Sequence, residues 1–332
     1  MNATVALPLL AAIAFACWVA CGGVRALLLH HRILDRPNAR SLHETPVPRG
    51  GGLALVPIAL LAWTVLLLFL GVPDGFWLLL LGTLLLMAIS WLDDIRSRPA
   101  ALRLALQIVA VVIGLAALPD SLPFQGLLPP LAGRVVTALL WIWFVNLFNF
   151  MDGIDGISGV ETVSLGLGLA LVAWLGSGAT ATLGAPVLLP LVLAAAALGF
   201  LAWNWAPAKL FLGDAGSVPL GYLLGWLLLS AAAAGAWAPA LILPLYYLAD
   251  SGVTLVRRIL QRRKVWEAHR EHFYQQAVAR GLGHAAVARR ILLANLALIA
   301  LAVLAAQGQV AIALVLAVAT VALLLAHLGR NR

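Results

Sequence analysis

Long apolar blocks dominate this sequence and decide what it can fold into. They run at about 3–29, 51–70, 76–92, 101–118, 131–149, 158–176, 183–203, 216–234, 238–256, 290–306 and 308–327. A hydrocarbon core about 30 Å thick is crossed by roughly twenty apolar residues of helix, and the blocks are close to that length. A membrane β-barrel would show short alternating segments instead. The expectation is an all-α, polytopic integral membrane protein of about eleven transmembrane helices, forming a single membrane-embedded domain over residues 1–332. Composition agrees: 63% of residues are hydrophobic and 10% charged, whereas soluble domains are about half apolar and about a quarter charged.

The first block has no basic stretch before it, so it reads as a retained span and not a cleaved signal. Its two cysteines, Cys17 and Cys21, lie one helical turn apart, a poor placement for a disulfide. They read as small packing residues. The formal charge of +8 raises nucleic acid as a partner. The basic residues, however, sit between or beside apolar blocks, and no basic domain or stacking platform is free to take a polynucleotide. No nucleic-acid partner is expected, and no segment specifies an oligomeric state.

Position gives those charges a different meaning. Of the 21 Lys and Arg residues, every one but Arg134 falls in loops 30–50, 93–103, 204–215 and 257–289, at their edges, or in the C-terminal tail. Positively charged loops stay in the cytoplasm. The reading is therefore N-terminus out, C-terminus in, in a bacterial inner membrane. Asp74 and Asp120 are the carboxylates assigned outside.

The same loops hold the polar chemistry. Asp93 and Asp94 end the third block. Adjacent carboxylates at an apolar helix end are costly without a cation, a partner charge or water, although a water-facing end with Arg96 and Arg98 nearby would explain them. The next turn, from Asn146 through Asn149, Asp152-Gly153 and Asp155-Gly156 to Gly159, crowds two Asn and two Asp at the membrane boundary. A glycine after each acid lets backbone and carboxylate approach one ligand. A plain turn explains the glycines but not the four polar side chains.

The loop from Asn204 to Ser217 places Asp214 between Gly213 and Gly216 where a helix begins. A helix start favours anions, and a carboxylate there can hold a divalent ion against a phosphate. An N-cap is the plainer reading of Asp214. In the long basic loop, His269, Arg270 and His272 offer donors to phosphate oxygens, against the alternative of a loop that fixes topology or touches anionic headgroups. As a loop residue, His272 is expected to carry little folding energy. In the first loop Arg49 and His43 hint at an anion, and a bare turn explains the rest. Asp250 reads as a helix-end partner for Arg257 or Arg258.

With these residues in order, the chain resembles the polyprenyl-phosphate N-acetylhexosamine-1-phosphate transferases. Pro48-Arg49-Gly50-Gly51-Gly52, Asp93-Asp94, the run Asn149 to Gly156, Phe211 to Ser217 and His269-Arg270-Glu271-His272 carry the likeness over nearly the whole chain. The resemblance implies transfer of a sugar phosphate from UDP-N-acetylhexosamine to polyprenyl (undecaprenyl) phosphate with release of UMP. It implies Mg²⁺ as cofactor, with Mn²⁺ a substitute. Carried across residue by residue, Asp214 and Asn149 look like metal-site residues, and Asp93, Asp94, Asp152 and Asp155 like the catalytic carboxylates. Asn204, Phe211, Arg49, His269, Arg270 and His272 look like nucleotide or phosphate contacts, with Phe211 stacking on the base and Lys209 facing the phosphates. His269-Arg270-Glu271-His272 departs from the triple histidine of the peptidoglycan branch and looks closer to the O-antigen, lipopolysaccharide-type branch.

Two rivals come from other classes. An intramembrane Mg²⁺-dependent prenyltransferase would show two Asp-x-x-x-Asp repeats, and this chain has Asp-Asp and Asp-x-x-Asp. A transporter would place ionisable groups near helix middles, where this sequence shows almost none.

Overall fold

The computed structural model describes residues 1–37, 45–119, 123–124, 126–176, 178, 182–264 and 269–330. His43 and Asp120, named above, lie outside them. Thirteen α-helices account for most of the described chain: α1 (Ala3–His30), α2 (Gly52–Leu70), α3 (Phe76–Ile95), α4 (Ala100–Gly114), α5 (Pro130–Phe150), α6 (Ile157–Gly176), α7 (Ala185–Asn204), α8 (Asp214–Ala233), α9 (Trp237–Ile242), α10 (Leu245–Leu260), α11 (Phe273–Ala279), α12 (His284–Ala306) and α13 (Val310–Gly329). Two short strands, β1 (Leu34–Asp35) and β2 (Val47–Pro48), pair antiparallel with Leu34 opposite Pro48.

Ten of these helices are long and apolar enough to cross a membrane among the described residues. The span expected at 238–256 is the exception, because α9 and α10 break at Leu243-Pro244. Hydropathy runs on through that point, but Pro244 has no N–H to donate and its ring clashes with the carbonyl four residues back. The two pieces together still carry the chain from one end of the bundle to the other.

The chain ends confirm that alternation. The Met1 ammonium donates to the Leu183 carbonyl at 3.1 Å, beside the start of α7. Arg280, after α11, donates to the carbonyl of Leu328 at the end of α13. The C-terminal ends of α3, α5 and α7 and the N-terminal ends of α2, α4, α6 and α8 therefore share one end of the bundle with the C-terminus, and Met1 lies at the other.

Burial ranks the helices. Within their most apolar windows, α8 is 83% buried, α6 78% and α7 67%, against 22% for α1 and α13. The central helices therefore meet protein all round and the outer ones face lipid. Lipid tails are as apolar as leucine, so close van der Waals packing between small residues has to hold such a bundle together. Gly199 shows how tight the contact is: a Cβ there would lie 2.1 Å from the Ala14 carbonyl of α1. Cys17 and Cys21 are free and buried on α1, Sγ to Sγ 4.0 Å, as the packing reading expects.

Candidate active site

Two loop segments are laced together at the shared end. Phe211 N–H donates to Pro48 C=O at 2.9 Å, and the N–H groups of Gly50 and Gly51 return to Phe211 C=O at 3.1 and 2.8 Å. Gly52 N–H completes the ladder on Leu212 C=O. This explains the run of three glycines. Gly50 sits at φ +142°, and a Cβ on Gly52 would lie 2.2 Å from Gly216 Cα. The start of α2 thus lies directly on the start of α8.

That lacing delivers Arg49 to two carboxylates. Its Nε lies 3.0 Å from Asp94 Oδ1 and its Nη2 2.5 Å from Asp214 Oδ1. Arg103 of α4 approaches from the other side, 2.9 Å from Asp93 and 3.8 Å from Asp214. Burial alone would lower the pKa of Arg49. The negative charges of Asp214, Asp94, Asp35 and Asp152 outweigh it and hold the guanidinium further up. Arg49, weakly signalled in the sequence, is the hub of the site, and Arg103, which no motif of the sequence singles out, joins it from α4.

Asp214 is not the cap of α8. Its own N–H and that of Ala215 donate to Asp94 Oδ1 and Oδ2 at 3.1 and 2.9 Å. The carboxylate that caps α8 therefore comes from the end of α3. Gly213, at φ +75°, leaves room for it, since a Cβ there would meet Asp94 Oδ2 at 2.8 Å. The Asp214 side chain, 19% exposed, is left to face Arg49 and Arg103.

Asp152 belongs to the same cluster. It is half-buried and accepts a hydrogen bond from Ser158 Oγ at 2.7 Å. Burial pushes its carboxyl up to about 7; Ser158 and Arg49 oppose that, and Asp214 and Asp94 add to it. Asn149 donates to Ser217 Oγ at 2.8 Å, less than one turn past Asp214 on α8.

Other expected site residues are engaged in bracing the loops. Asp155 is buried, accepts from Ala208 N–H at 3.0 Å, and lies 3.1 Å from His284 Nδ1. Asn204 is also buried: its Oδ1 accepts from Gly156 N–H at 2.9 Å and its Nδ2 donates to Leu210 C=O at 3.0 Å. Both ends of that amide are used by backbone. The backbone of Phe211 carries the loop ladder while its side chain is half-buried, and Lys209 is exposed.

From residue 269 onward the basic loop packs more closely than its sequence suggests. His272 is 2% exposed, with Nδ1 3.2 Å from Asp250 Oδ1. Its ring stacks on His269 at 5.0 Å between centroids and on Tyr274 at 5.8 Å. The expectation that it carries little folding energy is corrected by that burial. Asp250 is corrected too. It accepts from the N–H groups of Phe273 and Tyr274 at 2.9 and 3.2 Å, capping α11, while Arg258 pairs with Glu271 at 2.6 Å and Arg257 lies over the Phe273 ring. Tyr274 reaches the Phe150 carbonyl at 3.0 Å, which ties α11 to the Asp152 turn. His269 is held down at about 4 by burial and by the charges of His272 and Arg258, with Glu271 opposing. Arg270 is half-buried beside it.

Among the described residues, no three His, Cys, Asp or Glu side chains converge as a complete metal cage. A Mg²⁺ ion keeps several waters and takes substrate phosphates, so one or two protein oxygens are enough. Asp214, with hard carboxylate oxygens on a partly exposed side chain, meets that requirement.

The glycosyl transferase family 4 model matches residues 76–232, the stretch from α3 to α8. A probable undecaprenyl-phosphate N-acetylglucosaminyl 1-phosphate transferase of Bacillus subtilis is 30% identical over 272 residues, covering 79% of this chain and 74% of the relative. The chain belongs to the polyprenyl-phosphate hexosamine-1-phosphate transferase family. Within that family, the decaprenyl-phosphate N-acetylglucosaminephosphotransferase of Mycolicibacterium smegmatis is 32% identical, over 63% of this chain and 55% of its own length. A phospho-N-acetylmuramoyl-pentapeptide-transferase of Picosynechococcus is 33% identical over 56% of this chain and 53% of its own. The chain thus spans about three quarters of the Bacillus relative and just over half of the other two.

Proposed function

We propose that this chain transfers N-acetylhexosamine-1-phosphate from UDP-N-acetylhexosamine to polyprenyl (undecaprenyl) phosphate, starting a lipid-linked cell-surface glycan. The observation that carries the reading is Arg49 held between Asp94 and Asp214 at the start of α8, in a chain of this family. The proposed site is the loop end of a single membrane domain in a bacterial inner membrane. The near one-sided distribution of Lys and Arg supports its facing the cytoplasm.

In this reading a lipid phosphate oxygen attacks the sugar-bearing phosphorus. The bond to the UMP oxygen breaks, and the electron pair leaves on UMP. Phosphoryl transfer of this kind is catalysed mainly by positioning and charge neutralisation. The acceptor is a phosphate monoester with a second pKa of about 6, so it is largely dianionic at neutral pH and needs orientation more than deprotonation. Arg49 and Arg103 would supply positive charge to the diphosphate, and Asp152 would orient the acceptor. Mg²⁺, or Mn²⁺ in its place, would be held by Asp214 with Asn149 in support; when bound, it would neutralise diphosphate charge. Phe211 would stack on the uracil, with His269 and Arg270 on the outer phosphate face.

The test is to incubate purified protein with undecaprenyl phosphate and a panel of UDP-sugars, with and without Mg²⁺, and to follow UMP. Release confined to UDP-N-acetylhexosamines and abolished by chelation supports the proposal. No lipid-dependent release with any of them refutes it.

A further inference from the structure

One buried acid takes no part in this site. Glu161 lies on α6, about one turn below the Asp152 loop, and is 0% exposed. Among the described residues its hydrogen-bond partner is Asn295 of α12, whose Nδ2 donates to Glu161 Oε2 at 2.8 Å. The other two oxygens of the pair, Glu161 Oε1 and Asn295 Oδ1, are both buried without a hydrogen-bond donor.

An ionised Glu161 would leave both oxygens as orphan acceptors, which buried polar groups rarely are. It would also leave a bare anion among apolar helices, and none of the ion pairs among the described residues involves it. Such groups neutralise instead. One added proton repairs both defects: on Oε1 it makes a donor that Asn295 Oδ1 can accept. Tyr247 of α10, a buried phenol whose own hydroxyl has no hydrogen-bond partner among the described residues, lies within electrostatic reach of Glu161. It brings no positive charge.

We infer that Glu161 is a neutral carboxylic acid, joined to Asn295 by two hydrogen bonds, and that this pair is a clamp positioning the Asp152 loop. Position supplies the second half of the argument. Ser158, which donates to Asp152, lies three residues before Glu161, on the same face of α6. At its N-terminus α12 is tied to the same loop again, through His284 and Asp155. The clamp therefore fixes how α6 and α12 meet, and with it where Ser158 holds Asp152. The positioning role rests on the proposed transfer activity; the protonation state does not.

Infrared difference spectroscopy of the purified protein at pH 7, wild type minus Glu161→Gln, tests the neutral acid directly. A protonated-carboxyl C=O band present in the wild type and lost in the variant is expected. Its absence from the difference overturns the inference whatever the assay of transfer shows. Gln presents one donor and one acceptor, as the neutral acid does, so Glu161→Gln should fold and keep turnover within about twofold, whereas Glu161→Ala loses roughly a hundredfold in kcat, the scale of an ångström misplacement. A Glu161→Gln protein that fails to fold or loses that activity, or a Glu161→Ala protein that keeps it, refutes the clamp.

Discussion

Replacing Asp214 by Asn separates its possible roles with a near-isosteric change. Asn and Asp rank together as N-caps, and here the side chain is not the cap at all. The first two N–H groups of α8 go to Asp94, so the helix start is untouched by the change. What the folded state loses is the Arg49 contact at 2.5 Å, between side chains 19% and 35% exposed, and the longer approach of Arg103 at 3.8 Å. Partly exposed pairs of this kind contribute about 1 kcal/mol or less. Losing one electrostatic group from a phosphoryl-transfer site costs at least about a hundredfold in rate, or about 2.7 kcal/mol. The variant should thus melt close to the wild type, followed by fluorescence of the 12 tryptophans, while UMP release collapses. Asp94→Asn should invert the order. An amide cannot accept from both N–H groups with its two ends, and Arg49 loses a buried partner; that change costs about 3 kcal/mol of stability. Wild-type-like UMP release from Asp214→Asn at limiting Mg²⁺ would refute the assignment of Asp214 to the chemistry.

Asp152 carries a pH signature. Its folded pKa, about 7, lies above the ordinary 3.8, so the folded chain holds this proton more tightly than the unfolded one. The linked stability is full below about pH 4 and lost as pH rises through about 7; Asp152→Asn should flatten that slope in melting curves. Gly52→Ala forces a Cβ to within 2.2 Å of Gly216 backbone, which cannot move like a side chain, and should cost about 2 kcal/mol or more by overpacking, read as lower yield of folded protein. His272→Ala removes a buried partner of Asp250 and should lower the melting temperature as well as turnover. Reporter fusions after residues 45, 98 and 270 should report cytoplasm and a fusion near 74 periplasm; a periplasmic signal from 270 would overturn the orientation.

Much of this was legible because hydropathy and local motifs are read over short stretches. The apolar blocks gave α1 to α8 and α13 within a few residues and the end of α12, which begins at His284, six residues before its block, because Arg289 and Arg290 interrupt the apolar run; glycines flanking Asp214 marked it as special. What stayed hidden depends on partners far along the chain. Asp250 looked like a neighbour of Arg257 and Arg258, but its partners are the N–H groups of Phe273 and Tyr274. Glu161 lay in an apolar block with its partner Asn295 another block away, so no local pattern flagged either. Asp155 and Asn204 sit in the right motifs, yet their side chains spend their hydrogen bonds on loop backbone and His284. Residue type and spacing point to which loops meet; only the fold distinguishes a side chain left partly exposed, as Asp214 is, from one whose hydrogen bonds brace the loops. The break before α10 escaped because a proline does not lower the mean hydropathy of its window much, although it ends the hydrogen-bond ladder.

The trans cap on α8 changes how an anion can bind here. A helix N-terminus attracts phosphate because its first N–H groups lack partners. In α8 none of them does: Asp214 and Ala215 donate to Asp94, and Gly216 and Ser217 donate to the Gly213 carbonyl at 2.9 and 3.0 Å. The end of α11 is closed in the same way by Asp250. The helix start that the sequence offers as a phosphate cradle, that of α8, is thus filled by a carboxylate of the protein itself, and the start of α11 is filled likewise. On the proposed function a diphosphate would meet side chains instead, and the guanidinium groups of Arg49 and Arg103 are the positive charges that already stand against Asp214. Asp94, by holding α8 and Arg49 together, sets the distance between that positive charge and the Asp214 carboxylate. Its contribution is then geometric, and it should show in the fold before it shows in the rate.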